Sequence, residues 1–223
     1  MLGGRSLGRE AGALATLLEA GDLAGGRARL PHLAGRDPSA LDLAGLARAG
    51  TESVAENTSD AVVAPLLWGA VAGVPGLLGY RAANTLDAMV GHRSPRWERF
   101  GWASARLDDG LNLVPARVAA ALAALLAPLV GGRPADALRA WRRDARRHPS
   151  PNAGPVEAAF AGALGVRLGG TNVYGGRVEH RGTLGDGQPA GVRDLARAVR
   201  LAGGVDVAAA GLAVAVALAV GRR

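Results

Sequence analysis

The sequence predicts an all-α, polytopic membrane protein with broken or re-entrant helices and amphipathic cytoplasmic helices. Hydrophobic residues make up 49% of the 223 residues but aromatic residues only 4%, so most apolar positions are Ala, Leu and Val. Alanine and leucine are strong helix formers, and few aromatic residues are available to build sheets. Residues 61–80 carry no charge and have the length, about 20 residues, that a helix needs to cross the hydrocarbon core.

The amino-acid composition excludes several functions. The chain has no lysine, so it has no Walker A loop, whose lysine reaches the nucleotide phosphates. The absence of cysteine excludes disulfides, thiolate nucleophiles and cysteine-ligated zinc. A net charge of +7 and a pI of about 11.3 fit nucleic acid, anionic lipid or phosphorylated substrates equally well.

We predict a single domain over residues 1–223, built from four consecutive parts. These are amphipathic helices over 1–60, a membrane core with polar motifs over 61–132, a basic loop and helices over 133–200, and a C-terminal membrane helix over 201–223. The first part begins without the continuous apolar stretch of a cleavable signal peptide, so we expect none.

Three helices are predicted in the first part. Residues 6–20 place leucines on one face, and residues 23–33 form a second, shorter helix. Asp42 is the expected N-cap of a third helix, which runs to about Asn57.

Acidic residues along the third helix lead directly into the apolar segment. Glu52, Glu56 and Asp60 are spaced by four residues, so they line one face if the helix persists, and Asn57 lies three residues before Asp60. One interpretation of this face is a solvated surface. The apolar run that follows favours a polar site, because charged groups set against a membrane segment are costly and usually functional.

The uncharged segment itself contains helix-breaking residues, Pro65 and Pro75, and a G-x-x-x-G pattern at Gly69 and Gly73. In a soluble protein it would be a buried helix broken twice. In a membrane, neighbouring helices satisfy the freed backbone groups. A broken helix also indicates a binding site at membrane depth.

A second polar motif follows the uncharged segment. Arg81, Asn84 and Asp87 occur at successive three-residue steps, so they share a helix face. A loop over residues 91–102 then leads to a second hydrophobic segment over residues 111–130.

A third polar motif opens this second hydrophobic segment. Arg106, Asp108 and Asp109 precede it, and Asn112 lies about one turn beyond the two aspartates. Arg117 lies deeper in the apolar helix and needs a partner there. Asp109 and Asn112 are the candidates.

The next part of the chain is basic and contains a predicted helix N-terminus. Residues 139–148 are suited to lipid headgroups or to a cytoplasmic loop. Ser150 as N-cap and Pro151 as first helical residue predict a helix that ends near Gly165. This terminus, with Asn152, either binds an anion or is simply capped, and both alternatives stay open.

Three segments complete the chain. Residues 169–176 are predicted to be a flexible glycine-rich loop, which is a weak signal for phosphate binding. Residues 192–201 form a basic amphipathic helix. Residues 203–220 form the last apolar segment, in which Asp206 is the only charge.

The membrane topology has two solutions. If three apolar segments alternate across the membrane, the acidic motif over 52–60 and the motif over 108–112 lie on opposite faces. A single site made of both requires residues 61–80 to be re-entrant or buried within protein. Arginine counts, although weak here, favour a cytoplasmic location for residues 131–201, and hence a multi-pass inner-membrane protein whose active site faces the cytoplasm.

Four long motifs occur in order: E-S-V-A-E-N-T-S-D-A-V-V-A-P-L, Y-R-A-A-N-T-L-D-A-M-V-G, E-R-F-G-W-A-S-A-R-L-D-D-G-L-N-L-V-P-A-R and S-P-N-A-G-P. Together they resemble adenosylcobinamide-phosphate synthase, the CobD/CbiB family of cobalamin biosynthesis, from about Ser6 to the C-terminus. The resemblance implies a polytopic membrane enzyme that uses ATP and Mg²⁺ to join a corrinoid propionate carboxylate to (R)-1-aminopropan-2-ol or its O-phosphate. It implies membrane lipid and a homo-oligomer or other cobalamin-pathway enzymes as partners.

The chain departs from the family pattern in three places. We expect it to lack the hydrophobic N-terminal portion that precedes the first helix in the family. His92 stands where a tyrosine is usual, and the S-P-N-A-G-P motif is one residue short. The first departure leaves open a start-site error, a fragment, or a truncated protein that needs a partner.

Residue types suggest roles in such a reaction. Mg²⁺ prefers oxygen ligands, arginines bind phosphate or carboxylate in place of lysine, and a glutamate near the amine serves as a base. Asp60 and Asp87 are additional metal candidates. The assignments are catalytic Glu52, Glu56, Asn57, Asp60, Asp87 and Arg117; cofactor-binding Arg81, Asn84, Arg106, Asn112, Ser150 and Asn152; and metal-binding Asp108 and Asp109.

Two functions from different classes remain. The first is an ATP-dependent amide ligase, and the alternative is a non-catalytic membrane partner or regulatory protein on the same scaffold. A nucleic-acid binder is disfavoured because the arginines are spread along the chain without a recognisable module. A Ser/His/Asp hydrolase is disfavoured because there is no G-x-S-x-G, and the histidines fall in turn or loop contexts.

Overall fold

The computed structural model describes residues 3–91, 101–174 and 177–221. The described part is mainly helical, as predicted, with one small sheet. The elements are α1 Gly4–Glu19, α2 Leu23–Arg29, α3 Leu43–Thr58, α4 Ala64–Leu86, α5 Gly101–Leu125, α6 Pro134–Asp144, α7 Ala153–Leu164, β1 Val166–Tyr174, β2 Arg177–Leu184, β3 Gln188–Pro189 and α8 Val192–Val220.

The predicted N-terminal helices are confirmed to within a few residues. Asp42 caps α3, since its Oδ1 accepts a hydrogen bond from the Gly45 amide at 2.7 Å. Gly50 lies where α1, α3 and α8 meet, because a Cβ there would stand 3.0 Å from Leu14 and 3.1 Å from Leu195. The small residue allows close approach of the three helices.

The uncharged segment is not a straight helix, because α4 reverses direction at Gly73. Gly73 has φ 64° and ψ −154°, a conformation open essentially to glycine alone. Beyond the turn, a Cβ on Gly76 would stand 2.5 Å from the Trp68 carbonyl oxygen. The Tyr80 hydroxyl donates to the Asp60 carbonyl at 3.0 Å, although a straight helix would separate these residues by about 30 Å.

This hairpin bears on the two topological solutions. Both ends of residues 61–80 lie together, as the solution with a single site requires, so the segment is not a straight span. The hairpin brings the polar residues on either side of it to one place.

Large apolar side chains are exposed at the hairpin turn and along the end of α8. Val74 is 69% exposed and Val207 is 76% exposed. By length and composition, Leu43–Gly91 and Val192–Val220 are apolar enough to cross a membrane, and α5 is not among such stretches in the described residues. Because the first stretch turns back at Gly73, α8 is the straight candidate within the part of the chain that the structure describes. These two stretches indicate membrane association.

The all-α prediction fails at the predicted glycine-rich loop, where the described residues form a sheet. β1 pairs antiparallel with β2 and parallel with β3, in the order β2-β1-β3. Gly169 and Gly170 have φ of 79° and 89°, and the register shifts between them. Glycine provides the positive φ of a bulge, so the residues that suggested a loop shape a bent strand.

Two other predicted boundaries are wrong. The basic helix over 192–201 and the apolar segment over 203–220 form one continuous helix, α8. A Cβ on Gly204 would stand 2.7 Å from Leu129, so this glycine serves close packing and does not interrupt the helix. The helix predicted from Ser150 begins at Ala153.

Candidate functional site

The hairpin and α5 build a hydrogen-bonded group that we call the hairpin cluster: Tyr80, Asn84, Asp108 and Asn112. Asn84 Nδ2 donates to Asp108 Oδ1 at 3.2 Å, and Asn112 Nδ2 donates to Asp108 Oδ2 at 3.0 Å. The Tyr80 hydroxyl lies 2.8 Å from Asn112 Oδ1. Arg81 adds a guanidinium, which donates to Asn84 Oδ1 at 3.2 Å.

The packing of the second hairpin arm against α5 explains why these residues meet. Steps of three or four residues keep side chains on one helix face, and the two faces oppose each other. Sequence analysis singled out Asn84, Asp108 and Asn112 but missed Tyr80. The available signal was a lone hydroxylated aromatic residue at the end of an uncharged run.

A second contact joins α5 to the N-terminus of α7. Asn152 Nδ2 donates to the Asp109 carbonyl oxygen at 2.9 Å, and Arg117 donates to Asn152 Oδ1 at 2.9 Å. The expected partner of Arg117 was Asp109 or Asn112, and the structure gives Asn152 instead. Ser150 Oγ accepts from the backbone amides of Asn152 and Ala153 at 3.2 and 3.1 Å. The N-cap of α7 is Asn152, so the prediction of Ser150 as N-cap is wrong by two residues.

Glu52 belongs to a different group, between α3 and β1. Its Oε2 lies 2.5 Å from Arg36, and its Oε1 accepts from the Gly169 amide at 2.8 Å and lies 3.5 Å from Arg48. Arg48 also donates to the Gly169 carbonyl. Glu52 and Arg36 are only 3% and 4% exposed, so this carboxylate is held by the fold.

A buried carboxyl and imidazole next to this group were missed by sequence reasoning. Glu157 on α7 is 1% exposed, and its Oε1 lies 3.6 Å from His148 Nε2. Burial, followed by the charges of Glu52 and Glu56, raises the pKa of Glu157 well above its ordinary value. The signal in the sequence was a single charge inside an otherwise apolar helix.

His148 is a neutral base in this setting. Burial, and then the charge of Arg181, lower the pKa of His148 to about 4. The Ser150 amide donates to Nδ1 at 3.0 Å, so the neutral ring carries its proton on Nε2, which faces Glu157.

The remaining predicted residues lie around these groups. Asn57 donates back to the Ser53 carbonyl within its own helix at 2.9 Å. Asp60 lies in the π-turn Ser59–Val63 and Asp87 in the π-turn Asp87–Gly91, so regular helical spacing stops at both. Arg106 is exposed on α5.

Most of the loop predicted over residues 91–102 lies outside the described residues. Residues 92–100, which include His92, fall in this part.

The hairpin cluster offers oxygen ligands of the kind that Mg²⁺ uses. Magnesium is commonly held by one or two carboxylates together with phosphates and water, and Asp108, with Asp109 next to it, supplies that number. The described residues contain no cluster of three or more acidic, histidine or cysteine side chains arranged for a metal. A magnesium ion at this position would need phosphate oxygens or water in addition to these carboxylates.

The fold and the site define the class of protein. It is a mainly helical protein with two stretches apolar enough to cross a membrane, and its hairpin gathers an aspartate, amides and an arginine. Its sequence matches the family model described as CobD/Cbib protein over residues 1–202. The chain belongs to this family.

Curated relatives agree with this assignment. Proteins named cobalamin biosynthesis protein CobD match from Mycobacterium tuberculosis (60% identical over 213 residues, 96% of this chain and 68% of the relative) and Rhodobacter capsulatus (53% over 201 residues, 88% and 62%). A protein of that name from Stutzerimonas stutzeri is 53% identical over 200 residues, 90% of this chain and 64% of the relative. The chain thus spans about two thirds of their length. No solved structure matches.

Proposed function

We propose that the protein acts in cobalamin biosynthesis as an ATP-dependent amide ligase. It joins adenosylcobyric acid to (R)-1-aminopropan-2-ol or its O-phosphate, giving adenosylcobinamide or its phosphate. The observation that carries the proposal is the hairpin, which gathers Asp108, Asn84, Asn112 and Arg81 at one place in a chain of the CobD/CbiB family.

The chemistry explains why such residues are needed. A carboxylate does not form an amide readily because its oxyanion is a poor leaving group, and ATP supplies an acyl phosphate or acyl adenylate instead. The protein must neutralise phosphate charge and align the reactants. In our proposal Arg81, Arg106 and Arg117 bind phosphate or carboxylate oxygens, since arginine makes bidentate contacts with both.

The other residues orient and bind. Asp108 and Asp109 are the ligands we assign to Mg²⁺, which would offset the charge of the triphosphate when bound. Asn84, Asn112 and Asn152 position the corrinoid and the amine by hydrogen bonds. Asp60 and Asp87, at the two ends of the hairpin, complete the acidic lining of this region.

The same proposal assigns the amine's proton to a glutamate. Glu56 is the better base of the two candidates, because both oxygens of Glu52 accept hydrogen bonds from Arg36 and the Gly169 amide. Glu56 lies one turn before Asp60 on the side of the chain that enters the hairpin. We place the protein in the inner membrane, with this site facing the cytoplasm.

Replacement of Asp108 tests the proposal. We expect Asp108→Ala to lower ATP-dependent amide formation by about 10²-fold or more while the protein stays in the membrane fraction, and Asp108→Asn to do the same. Asp136→Ala, which removes an exposed aspartate on α6, is the matched control. Near-normal ligation by the Asp108 variants would remove this residue from the site.

The alternative of a non-catalytic partner makes a different prediction. Such a protein would support growth of a cobinamide-requiring strain only together with another protein or with an upstream extension. Growth with this chain alone, lost in the Asp108 variants, supports the ligase.

A further inference from the structure

A small cavity lies between α1, α3 and α8. Its volume is about 150 Å³. Apolar side chains and glycines form most of its wall, and among the described lining residues only Asp206 is charged. The apolar side chains are those of Leu7, Val54, Val199 and Ala202. An apolar wall with a single charged group is typical of a small-molecule site, because the charge orients a ligand that the wall contacts.

One oxygen of the Asp206 carboxylate is buried without a partner. Asp206 Oδ1 has no hydrogen bond among the described residues. From residue 201 to residue 220 of α8, Asp206 is the only charged side chain, in a helix apolar enough to cross a membrane. A charge in such a helix is costly and usually functional. The carboxylate therefore calls for a partner of opposite charge inside the cavity.

Glycines on α1 and α8 leave room around this carboxylate. A Cβ on Gly4 would clash with Asp206 Oδ2, whereas a Cβ on Gly8 would meet no atom within 4 Å. The cavity is thus the space that a side chain at Gly8 would enter. Gly203, also in the wall, is exposed, so a ligand has access from the surface.

The cavity adjoins the base of the hairpin. A Cβ on Gly4 would stand 3.1 Å from Val62, which lies with Asp60 in the π-turn Ser59–Val63. The carbonyl of Asp60 accepts the Tyr80 hydroxyl, and this hydroxyl also contacts Asn112 of the hairpin cluster. A ligand in the cavity would therefore lie beside the region in which the proposed reaction takes place.

We propose that this cavity binds a small primary amine in its protonated form, with the ammonium group against Asp206. The ammonium donates charge-assisted hydrogen bonds to the carboxylate, and the apolar wall contacts the short carbon chain. A metal ion fits less well, because Mg²⁺ and Ca²⁺ take about six or more oxygen ligands, whereas the described side chains of this wall supply one carboxylate.

The size of the cavity selects among the substrates of the proposed amide ligation, on which this identification of the amine rests. An engineered cavity of about 150 Å³ in another protein holds benzene, so a cavity of this size admits about six non-hydrogen atoms. Free (R)-1-aminopropan-2-ol is no larger than that, whereas ATP and the corrinoid are far larger. Its O-phosphate is bulkier and carries negative charge, which Asp206 repels. The ligand is therefore the free amine.

Direct binding to the full chain in detergent at pH 7 tests the proposal. Calorimetric titration would compare (R)-1-aminopropan-2-ol, its O-phosphate and propane-1,2-diol, in which a hydroxyl replaces the ammonium. We expect saturable binding of the free amine, at least about tenfold weaker binding of the other two, and a similar loss for the amine in Asp206→Asn. Asp136→Asn, on the exposed face of α6, is the control. Equal binding of amine and diol, or unchanged amine binding by Asp206→Asn, would overturn the proposal.

A second pair of variants fills the cavity and leaves Asp206 in place. Gly8→Val adds a side chain to the cavity wall, and we expect at least about tenfold weaker amine binding because the space is taken. Gly12→Val is matched to it, since Gly12 lies one turn further along α1, has no atom within 4 Å of a new Cβ and does not line the cavity. The Tm of each variant without amine checks that it is folded. Equal binding by the two folded variants would place the amine elsewhere.

Ligation assays separate this site from the ligase itself. Amine binding that depends on Asp206, in a wild-type protein that forms no amide, supports the cavity and contradicts the ligase. Amide formation by Asp206→Asn with a wild-type KM for the amine contradicts the cavity and leaves the ligase standing. Both proposals together predict a KM for the amine that rises at least about tenfold in Asp206→Asn, while the KM for ATP stays the same.

Discussion

At the residue scale, two buried glutamates differ in how their carboxyl oxygens are held. Glu52 and Glu157 are both buried glutamates within a few ångströms of arginines or histidine. Glu52 has its oxygens filled by a guanidinium and a backbone amide, whereas Glu157 does not. The same residue type is fixed by hydrogen bonds in one position and, among the described residues, lacks them in the other.

Removing the Glu52 carboxylate tests the structural half of this distinction. We expect Glu52→Ala to lower the free energy of unfolding by about 3–5 kcal/mol, because Arg36 stays buried after losing this carboxylate. Glu10→Ala removes a carboxylate from a partly exposed pair with Arg29 and should cost about 1 kcal/mol or less. Denaturant unfolding in detergent measures both, and equal costs would contradict the structural role.

At the element scale, the reversal of α4 positions the site. Pro65 lies in the first turn of α4, where proline is tolerated, and so breaks nothing. Pro75 follows the turn and opens the returning arm. The reversal itself depends on Gly73, and Tyr80 then secures the base of the hairpin through the Asp60 carbonyl.

Substitution at the turn tests this element. We expect Gly73→Ala to destabilise the protein by about 1–3 kcal/mol, because a Cβ is strained at this φ and ψ, and to lower ligation by displacing Asn84 from Asp108. Gly79→Ala, in the same hairpin, has no atom within 4 Å of the new Cβ and should be neutral or slightly stabilising. Thermal unfolding and the ligation assay distinguish the two variants, and identical behaviour would contradict a strained turn.

At the scale of the whole molecule, local signals in the sequence predicted the helices well. Asp42 capped its helix as predicted, and the prolines and glycines of residues 61–80 correctly indicated a break. The direction of the chain after the break depends on tertiary packing and stayed open. The strand at Gly169 was missed because glycine signals a loop locally, and Glu157 was missed because its significance lies in side chains from other helices.

The hairpin and α8 both expose large apolar side chains on the surface of the molecule. Val71 and Val74 flank the turn at Gly73 and are 54% and 69% exposed, and Val207 on α8 is 76% exposed. Exposed apolar surfaces of this kind indicate contact with a membrane or a partner.

The most direct measurement follows oxygen during the reaction. Adenosylcobyric acid labelled with ¹⁸O in its free carboxylate would be incubated with the protein, ATP, Mg²⁺ and the amine, and the phosphate or AMP analysed by mass spectrometry. Activation by ATP predicts the transfer of one ¹⁸O atom to phosphate or AMP for each amide formed, and no transfer with Asp108→Ala. Amide formation without label in phosphate or AMP, or no amide from the wild-type protein, would contradict the proposed ligase.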